Sequence, residues 1–329
     1  MVRVTAQNLS DCLRRLLAQV PPGQVTTCGD LADALGNRIA ATWVGHFSLH
    51  HEHDEACRCH RILRAGGALG PFIAGGIDEK IERLRAEGVV VNDETVDLEQ
   101  FAFQNFISDR PLEQLRKIQE EIQSRIVLRQ RKNIPEFVGG VDVAYPRPEI
   151  GSAAYALVET ATGQLVWSTT VERPVRFPYI STYLAFRELP ILLDLLGEVR
   201  TAGKMADVVL VDGSGVLHHR QAGVASHLGV AASLPTIGVT KKLLCGTVDI
   251  EAMTPGESRP VFLDTETEQI GAAICPTSGS RRPIYVSPGH EVDAAFSERL
   301  VLALLRNHRL PEPLYWADRL SRQGSCPPA

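Results

Sequence analysis

Two apolar strand patterns in the middle of the sequence each carry one carboxylate, and this feature constrains the fold most. Asp142 lies inside the pattern of residues 137–145, and Asp212 ends the pattern of residues 206–212. Glu188 lies on a helix pattern between them. A carboxylate in apolar surroundings is costly unless it is paired or bound to a metal. If the two strands are neighbours, the three acids meet at one sheet edge and can hold Mg²⁺ or Mn²⁺.

Such a cluster indicates metal-assisted phosphodiester hydrolysis, because Mg²⁺ keeps waters in its shell that a substrate phosphate can replace. The ion lowers the pKa of the attacking water and stabilises charge on the leaving oxygen. The alternative is that each acid is separately paired in a salt bridge or exposed to solvent. The order strand, helix, strand favours the metal site over that alternative.

The order of the predicted elements around these acids indicates an α/β fold. Three strand patterns come first and alternate like a meander, over residues 137–145, 153–160 and 165–171. Helix and strand patterns then follow in turn, over residues 183–196, 206–212, 223–232, 235–239 and 292–306. This order predicts a ribonuclease H-like nuclease domain, a fold class that fixes no function by itself.

The first hundred residues show a different pattern of predicted elements, with short helices over residues 11–19, 28–35 and 39–49. Two short helices joined by a glycine turn after a leading helix favour a small winged-helix or helix-turn-helix domain over a generic helical bundle. Val89–Val91 is predicted to be a short closing strand. We therefore expect one domain over residues 1–98, a linker over 99–107 and the α/β domain over 108–329.

Charge and cysteine content narrow the partners and the compartment. The net charge is −5, which argues against binding nucleic acid by bulk charge and indicates a local, metal-assisted surface. No apolar run approaches the ~18 residues that a membrane span needs, so we expect no membrane association. Seven cysteines is an odd count, and no secretory signal precedes them, so reduced thiols and a cytoplasmic protein are predicted.

Seven sequence blocks follow one another in the second segment: Val138-Gly-Gly-Val-Asp-Val-Ala-Tyr-Pro146, Pro178-Tyr-Ile180, Ala185-Phe-Arg-Glu-Leu-Pro190, Val211-Asp-Gly-Ser-Gly-Val-Leu-His218, Gly223-Val-Ala-Ser-His-Leu-Gly229, Pro235-Thr-Ile-Gly-Val-Thr-Lys-Lys-Leu-Leu-Cys-Gly246 and Ser287-Pro-Gly-His290. Over about residues 108–320 this series resembles endonuclease V, the deoxyinosine-specific repair nuclease. The resemblance implies a ribonuclease H-like fold and Mg²⁺-dependent nicking of DNA at the second phosphodiester on the 3′ side of the deaminated base.

The resemblance also implies roles for single residues. The metal carboxylates fall on Asp142, Glu188 and Asp212. The other implied positions are catalytic or substrate-binding: Lys241 near the scissile phosphate, His218 and His290 as active-site histidines, Tyr179 and Ile180 in a wedge loop, and Gly213 beside the second aspartate. The family's wedge continues with Pro-Gly, whereas this chain has Ser181-Thr182.

A second series of blocks lies in the first domain: Val20-Pro-Pro-Gly-Gln-Val-Thr-Thr-Cys-Gly-Asp-Leu-Ala32, Val44-Gly45, Cys59-His-Arg-Ile62, Gly75-Gly76 and Arg85-Ala-Glu-Gly88. Over about residues 5–92 it resembles the DNA-binding domain of O6-alkylguanine-DNA alkyltransferases and alkyltransferase-like proteins. In that family a cysteine, activated through histidine and glutamate, attacks the alkyl group. Those roles fall on Cys59, His60 and Glu87.

Four positions of this series depart from the alkyltransferase pattern. Arg58 replaces the proline before the nucleophile, Thr42 the finger arginine, Cys28 the turn tyrosine and His51 an asparagine. These losses weaken the expected grip on DNA. Active alkyl transfer and a degenerate, lesion-sensing module both remain open, as does zinc binding by the cysteines and histidines crowded into residues 46–60.

The sequence therefore predicts a two-domain DNA repair protein that acts on DNA containing deaminated or alkylated bases. A nuclease for inosine in RNA is one alternative. A lesion-binding protein without turnover, carrying an inactive alkyltransferase-like module, is the other.

Overall fold

The computed structural model divides into two compact units. The first comprises Met1–Lys117 and Arg176–Ser181, and the second Ile118–Val175 and Thr182–Ala329. The description that follows covers residues 6–51, 53, 57–263, 268–276 and 282–323. Across these ranges, no helix combines the length and apolar character needed to cross a bilayer.

Short helices dominate the first unit. Its elements are α1 (Ala6–Gln19), β1 (Thr26–Thr27), α2 (Cys28–Ala34), α3 (Ala41–His50), β2 (Ile62–Leu63), α4 (Gly76–Ala86) and α5 (Leu98–Phe101), and α6 (Pro111–Ser124) contains the division between the units. One-turn 3₁₀ helices precede α3 and, at Cys59–Arg61, β2. The three predicted helices and the helix-turn-helix arrangement are confirmed.

A capping box starts α2 where the sequence predicts a helix start. The Thr27 hydroxyl accepts a hydrogen bond from the Asp30 amide at 3.0 Å, and the Asp30 carboxylate accepts one from the Thr27 amide. This exchange satisfies amides that the first helical turn leaves without partners. The cap thereby fixes the turn between β1 and α2.

One detail of the predicted first domain is wrong. Val89–Val91 forms no strand, and Val89 and Val91 instead pack with Leu84 and Phe101 in the core of this unit. Three consecutive apolar residues fit the pattern of a buried strand, but such a run is also found where a loop packs against helices. Within the predicted linker, the carbonyl of Phe101 accepts a hydrogen bond from the Val25 amide at 2.9 Å.

An eight-stranded mixed sheet forms the second unit. Its elements are β3 (Phe137–Arg147), β4 (Ile150–Glu159), β5 (Leu165–Pro174), α7 (Leu184–Thr201), β6 (Val209–Asp212), α8 (Val224–Ala232), β7 (Thr236–Thr240), β8 (Ser258–Phe262), β9 (Gln269–Ile274), β10 (Ile284–His290), α9 (Ala294–Leu304) and α10 (Glu312–Gln323). The strand order is β5-β4-β3-β6-β7-β10-β9-β8. The antiparallel meander β3–β5 beside the parallel strands β6 and β7 confirms the ribonuclease H-like fold.

Helices cover both faces of this sheet. Val209 and Val211 of β6 pack with α7 and α8 on one face, whereas Val208 and Leu210 pack with α9 and α10 on the other. Burial on both faces explains why the sequence of β6 is an uninterrupted apolar run. Asp212, the last residue of β6, therefore lies at the end of a strand that is buried on both faces.

Candidate functional sites

Asp142 and Asp212 lie side by side because their strands are parallel neighbours. Val141 of β3 pairs with Val211 of β6, so the next residue of each strand is an aspartate. Helix α10 packs across β3 and brings in Asp318 as a third carboxylate. Oxygen atoms of the three carboxylates lie within 4.8 Å of one another. The structure thus gathers oxygen ligands suited to a divalent cation at this edge of the sheet.

The charge of Asp142 is held in an unfavourable environment. Burial, and then the charge of Asp212, raise the pKa of Asp142 to about 6. The hydroxyl of Ser321, on α10, opposes this shift by donating a hydrogen bond to Asp142 Oδ2 at 2.5 Å. Acids forced together in this way favour a bound cation, since it offsets both their burial and their repulsion.

Glu188 stands next to the cluster on α7. Its side chain is buried, and the Tyr145 hydroxyl donates to Glu188 Oε1 at 3.3 Å. Burial, followed by the charges of Asp142 and Asp212, raises the pKa of Glu188. Glu188 therefore senses both aspartates electrostatically but lies outside the group of three whose oxygens are within 4.8 Å.

Two cations face the carboxylates. Lys241 Nζ lies 3.0 Å from Asp212 Oδ2 and 3.6 Å from Asp318 Oδ1. Burial works against the charge of Lys241, yet the attraction and hydrogen bond of Asp212 and the charge of Asp318 raise its pKa. Arg322 donates to Asp318 at 2.7 Å. These groups line a cleft of about 430 Å³ that opens onto the carboxylates.

The structure does not bring His290 to this cleft. His290 pairs with Thr236 at the start of β7, whereas Asp212 pairs with Val239 near its end. Three residues of strand separate these positions, or about 10 Å. The Val127 amide donates to His290 Nδ1 at 3.3 Å. His290 therefore lies outside the group of three carboxylates, since β10 runs antiparallel to β7, and its role as an active-site histidine stays a prediction.

His218 is also placed in a structural role. Its Nε2–H donates to the Thr182 carbonyl at 3.2 Å, and its Nδ1 accepts from the Arg220 amide at 3.2 Å. Burial lowers the pKa of His218 to about 4, so the ring is neutral. Both ring nitrogens are thus used in hydrogen bonds within the protein.

Thr182 has φ +65°, a left-handed conformation that is costly for a β-branched residue. It occupies the position where the wedge of the resembled family has glycine. The Arg220 guanidinium donates to the Thr182 carbonyl at 3.0 Å and to its hydroxyl at 2.6 Å. The Gln119 amide donates to the same carbonyl at 2.8 Å. These bonds, with that of His218, hold Thr182 in a conformation that glycine adopts without strain.

The three predicted substrate contacts differ in exposure. Tyr179 is 67 % exposed and Ile180 is 2 % exposed, so Tyr179 is available to a ligand and Ile180 is a packing residue. At Gly213 a Cβ would meet the Val224 side chain at 2.9 Å. The small size of Gly213 therefore serves close packing directly behind Asp212.

In the first unit, half of the expected alkyl-transfer relay is present. His60 Nε2 donates to Glu87 Oε1 at 2.8 Å, and Arg61 donates to both carboxylate oxygens of Glu87. Burial lowers the pKa of His60, although Glu87 opposes the shift. Burial opposes the charge of Glu87, yet the bonds from Arg61 and His60 lower its pKa.

Cys59, the expected nucleophile, is buried and interacts with a second thiol. Its hydrogen bond with Cys57 and its burial raise the pKa of Cys59, while the same bond lowers the pKa of Cys57. The two thiols therefore share one hydrogen bond that favours the thiolate at Cys57 over the thiolate at Cys59. His51 Nε2 lies 3.6 Å from Cys59 Sγ.

Sequence reasoning missed Asp318 as a site residue, and it named Cys57 only as one member of a segment for which zinc binding was left open. Asp318 lies on an amphipathic helix and is followed by Arg322 at the fourth residue, a pattern typical of a solvent-exposed ion pair. Its role is visible once α10 is packed on β3. Cys57 was part of the crowded cysteine–histidine segment, but its spacing matches no common zinc motif.

Comparisons with known proteins agree with this division. The sequence profile of the family Endonuclease V matches residues 120–319. The profile described as 6-O-methylguanine DNA methyltransferase, DNA binding domain, matches residues 10–89. A bifunctional methyltransferase/endonuclease from Picrophilus torridus is 37 % identical over 242 residues, which cover 73 % of this chain and 77 % of that protein. Endonuclease V from Azotobacter vinelandii is 39 % identical over 209 residues, covering 63 % of this chain and 91 % of that protein.

Solved structures resemble the second unit. The catalytic domain of human endonuclease V has a TM-score of 0.61 and 34 % identity, and the match covers 66 % of this chain and 96 % of that domain. Endonuclease V from Ciona intestinalis, in complex with DNA containing an inosine followed by a ribo-adenosine, has a TM-score of 0.59 and 26 % identity, over 66 % of this chain and 98 % of that protein.

Proposed function

This chain belongs to the endonuclease V family and carries an alkyltransferase-type DNA-binding domain at its N-terminal side, and we propose that it is a Mg²⁺-dependent nuclease that nicks DNA 3′ to deoxyinosine. The observation that carries the proposal is the convergence of Asp142, Asp212 and Asp318 within 4.8 Å. Their oxygens suit a hard divalent cation. We place the protein in the cytoplasm, as its cysteine content suggests.

The residues fit a divalent ion, since three carboxylates converge at the cleft with Lys241 and Arg322 as cationic neighbours, and the buried Glu188 lies close enough to interact with Asp142 and Asp212. We propose Asp142, Asp212 and Asp318 as its ligands, with Glu188 acting from the adjoining helix. A bound ion would polarise the phosphate and lower the pKa of an attacking water.

Lys241 and Arg322 are the positively charged side chains that we propose to contact the phosphates of the substrate. Lys241 Nζ bridges Asp212 and Asp318 across the mouth of the cleft. When a cation neutralises these acids, the ammonium is available to a non-bridging phosphate oxygen. Arg322, whose side chain is 66 % exposed, is placed to bind the neighbouring phosphate.

Tyr179 is proposed to fill the gap left by the everted inosine. Its exposed ring can stack on neighbouring bases, and weak pairing of a damaged base makes eversion less costly. Thr182, three residues further on, is fixed by Arg220 and His218. This anchoring supplies the rigidity that Pro-Gly gives the wedge elsewhere in the family.

The test is nicking of a duplex with one deoxyinosine by the full-length protein, with Mg²⁺ or with a chelator. We expect Asp142→Asn and Asp212→Asn to abolish product formation. Asp194→Asn is the matched control, because Asp194 is an exposed aspartate on α7 that forms an ion pair with Arg173 of β5. Undiminished nicking by both cleft variants contradicts the assignment, and binding without turnover in Mg²⁺ or Mn²⁺ favours a lesion-binding protein instead.

Inosine in RNA is a second candidate substrate. The relative from Ciona intestinalis was crystallised with a strand that has a ribonucleotide after the inosine, which supports tolerance of ribose at that position. Matched DNA, RNA and single-ribonucleotide substrates measured side by side distinguish the two. Faster cleavage of the all-RNA strand identifies a ribonuclease.

For the first domain we propose binding of DNA that contains O6-alkylguanine. The matching profile and the His60–Glu87 pair support it. Transfer of the alkyl group to Cys59 is the second candidate, favoured by the bifunctional name of the Picrophilus relative. Mass spectrometry of the Cys59 peptide after incubation with O6-methylguanine DNA decides, since an unchanged mass rejects transfer.

A further inference from the structure

We propose that His51, His53, Cys57 and Cys59 form a structural Zn²⁺ site in the first domain. One ligand atom of each residue lies within 4.8 Å of the other three. His51 is the C-cap residue of α3, and Cys59 begins the following 3₁₀ turn. A metal ion bound by the four side chains would thus link the end of α3 to the 3₁₀ turn at Cys59.

The distances match tetrahedral zinc. His51 Nε2 lies 3.2 Å from Cys57 Sγ and 3.6 Å from Cys59 Sγ, and His53 Nδ1 lies 3.2 Å from Cys57 Sγ. With Zn–S of about 2.3 Å and Zn–N of about 2.0 Å, tetrahedral geometry places nitrogen and sulfur about 3.5 Å apart. These three nitrogen–sulfur distances are therefore within a few tenths of an ångström of tetrahedral zinc geometry, and the remaining ligand atoms lie within 4.8 Å of one another.

The hydrogen bonding of His51 presents the correct nitrogen. His51 Nδ1 lies 2.8 Å from the Phe47 carbonyl, which accepts, so Nδ1 carries the proton and Nε2 carries a lone pair. Zinc-bound histidines usually donate their other nitrogen to a carbonyl or carboxylate in this way. The Phe47 ring also stacks on His51, with centroids 4.7 Å apart. The ring orientation is therefore fixed before any metal binds.

The donor set selects the metal. Two thiolates and two imidazoles form a soft, closed set that suits zinc and leaves no position for a catalytic water. Such a site contributes folding energy when it is filled. The order His-x-His-x₃-Cys-x-Cys differs from a zinc finger, which is why the sequence does not predict it. The site engages Cys59 and His51, the two positions where the alkyltransferase family has its nucleophile and an asparagine.

Cobalt substitution of the full-length protein tests this site separately from the carboxylate cleft. Tetrahedral Co²⁺ with two thiolates gives visible d–d bands and a near-ultraviolet sulfur-to-cobalt charge-transfer band, whereas oxygen ligands give no such charge transfer. We expect about one zinc per chain after purification without chelator, and both bands after exchange with Co²⁺. The charge-transfer band is expected to halve or vanish in Cys57→Ser and to persist in Cys12→Ser.

His50→Ala is a second control, because His50 stacks on His46 and lies outside the four-residue cluster. A loss of the bands in this variant, or their full retention in Cys57→Ser, overturns the proposal. Should Cys57→Ser misfold by circular dichroism, the wild-type protein still decides. Its Cys57 and Cys59 are expected to resist iodoacetamide until zinc is stripped, and equal labelling before and after stripping overturns the site.

Discussion

Asp318→Asn removes one carboxylate from the cleft and keeps the shape of the side chain. Without metal, Asp318 is attracted by Arg322 at 2.7 Å and Lys241 at 3.6 Å, and repelled by Asp142 and Asp212 within 4.8 Å. At an effective dielectric constant of about 20, such charges interact by roughly 3–6 kcal/mol before solvent screening. The two attractions, about 11 kcal/mol together, exceed two repulsions of at least about 3.5 kcal/mol each by no more than about 4 kcal/mol. Solvent screening at these partly exposed side chains reduces that remainder strongly. The free energy of unfolding of the metal-free protein is therefore expected to change by less than ~1 kcal/mol.

With metal, the substitution removes an anionic ligand and the cancellation no longer applies. Changes to groups behind metal ligands already cost 10–100-fold in affinity or activity. We expect Asp318→Asn to weaken Mg²⁺ activation of nicking by at least about 100-fold, or about 2.7 kcal/mol. The measurement is the nicking rate over a Mg²⁺ series, together with thermal unfolding with and without Mg²⁺.

Asp194→Asn again serves as the control, since it also removes an aspartate that pairs with an arginine. It is expected to keep the wild-type dependence on Mg²⁺. The reasoning is refuted if Asp318→Asn nicks at the wild-type rate over the whole Mg²⁺ series. It also fails if the metal-free variant loses several kcal/mol of stability, since Asp318 would then act mainly in folding.

Three other outcomes are expected. Tyr155→Phe deletes a buried hydroxyl that donates to the Lys204 carbonyl at 3.0 Å and accepts from the Ala206 amide at 3.1 Å; it should lower the free energy of unfolding by about 1–3 kcal/mol in urea denaturation and leave nicking per folded molecule unchanged. Tyr179→Ala should keep the unfolding midpoint but reduce the ratio of nicking rates for inosine and undamaged duplexes. Burial lowers the pKa of Lys80 from 10.5 to about 8. Between these pH values the unfolded state binds one proton more than the folded state, so the free energy of unfolding should rise with pH across this interval. Denaturation at several pH values measures this rise, and a rise of wild-type size in Lys80→Met would contradict the reasoning.

The sequence contained enough information for the centre of the cleft. Asp142 and Asp212 interrupt or end apolar strands, and a charge in such a strand must meet a counter-charge or a metal. Parallel pairing then places the residues after Val141 and Val211 side by side. Strand pattern and polarity together therefore predicted that these two carboxylates are neighbours.

Side chains whose position depends on distant packing were not predictable in this way. Asp318 reaches the cleft because α10 packs over β3, about 175 residues away in the chain, and its own helix reads as solvent-exposed. His290 follows a recognisable block, but β10 is antiparallel to β7. The direction of a strand decides at which end of the sheet its last residue lies. The direction of β10 depends on the preceding strands β8 and β9, which the sequence pattern did not reveal.

Adjacent residues of the first unit separate for a simple geometric reason. Cys59 and His60 are neighbours in sequence, which favours a nucleophile and its relay. They lie in a 3₁₀ turn, however, where successive side chains point about 120° apart. His60 consequently points to Glu87, while the thiol of Cys59 points to Cys57 and His51. A thiol turned toward an imidazole and a second thiol is arranged for a metal, and alkyl transfer through His60 requires Cys59 to leave that arrangement first.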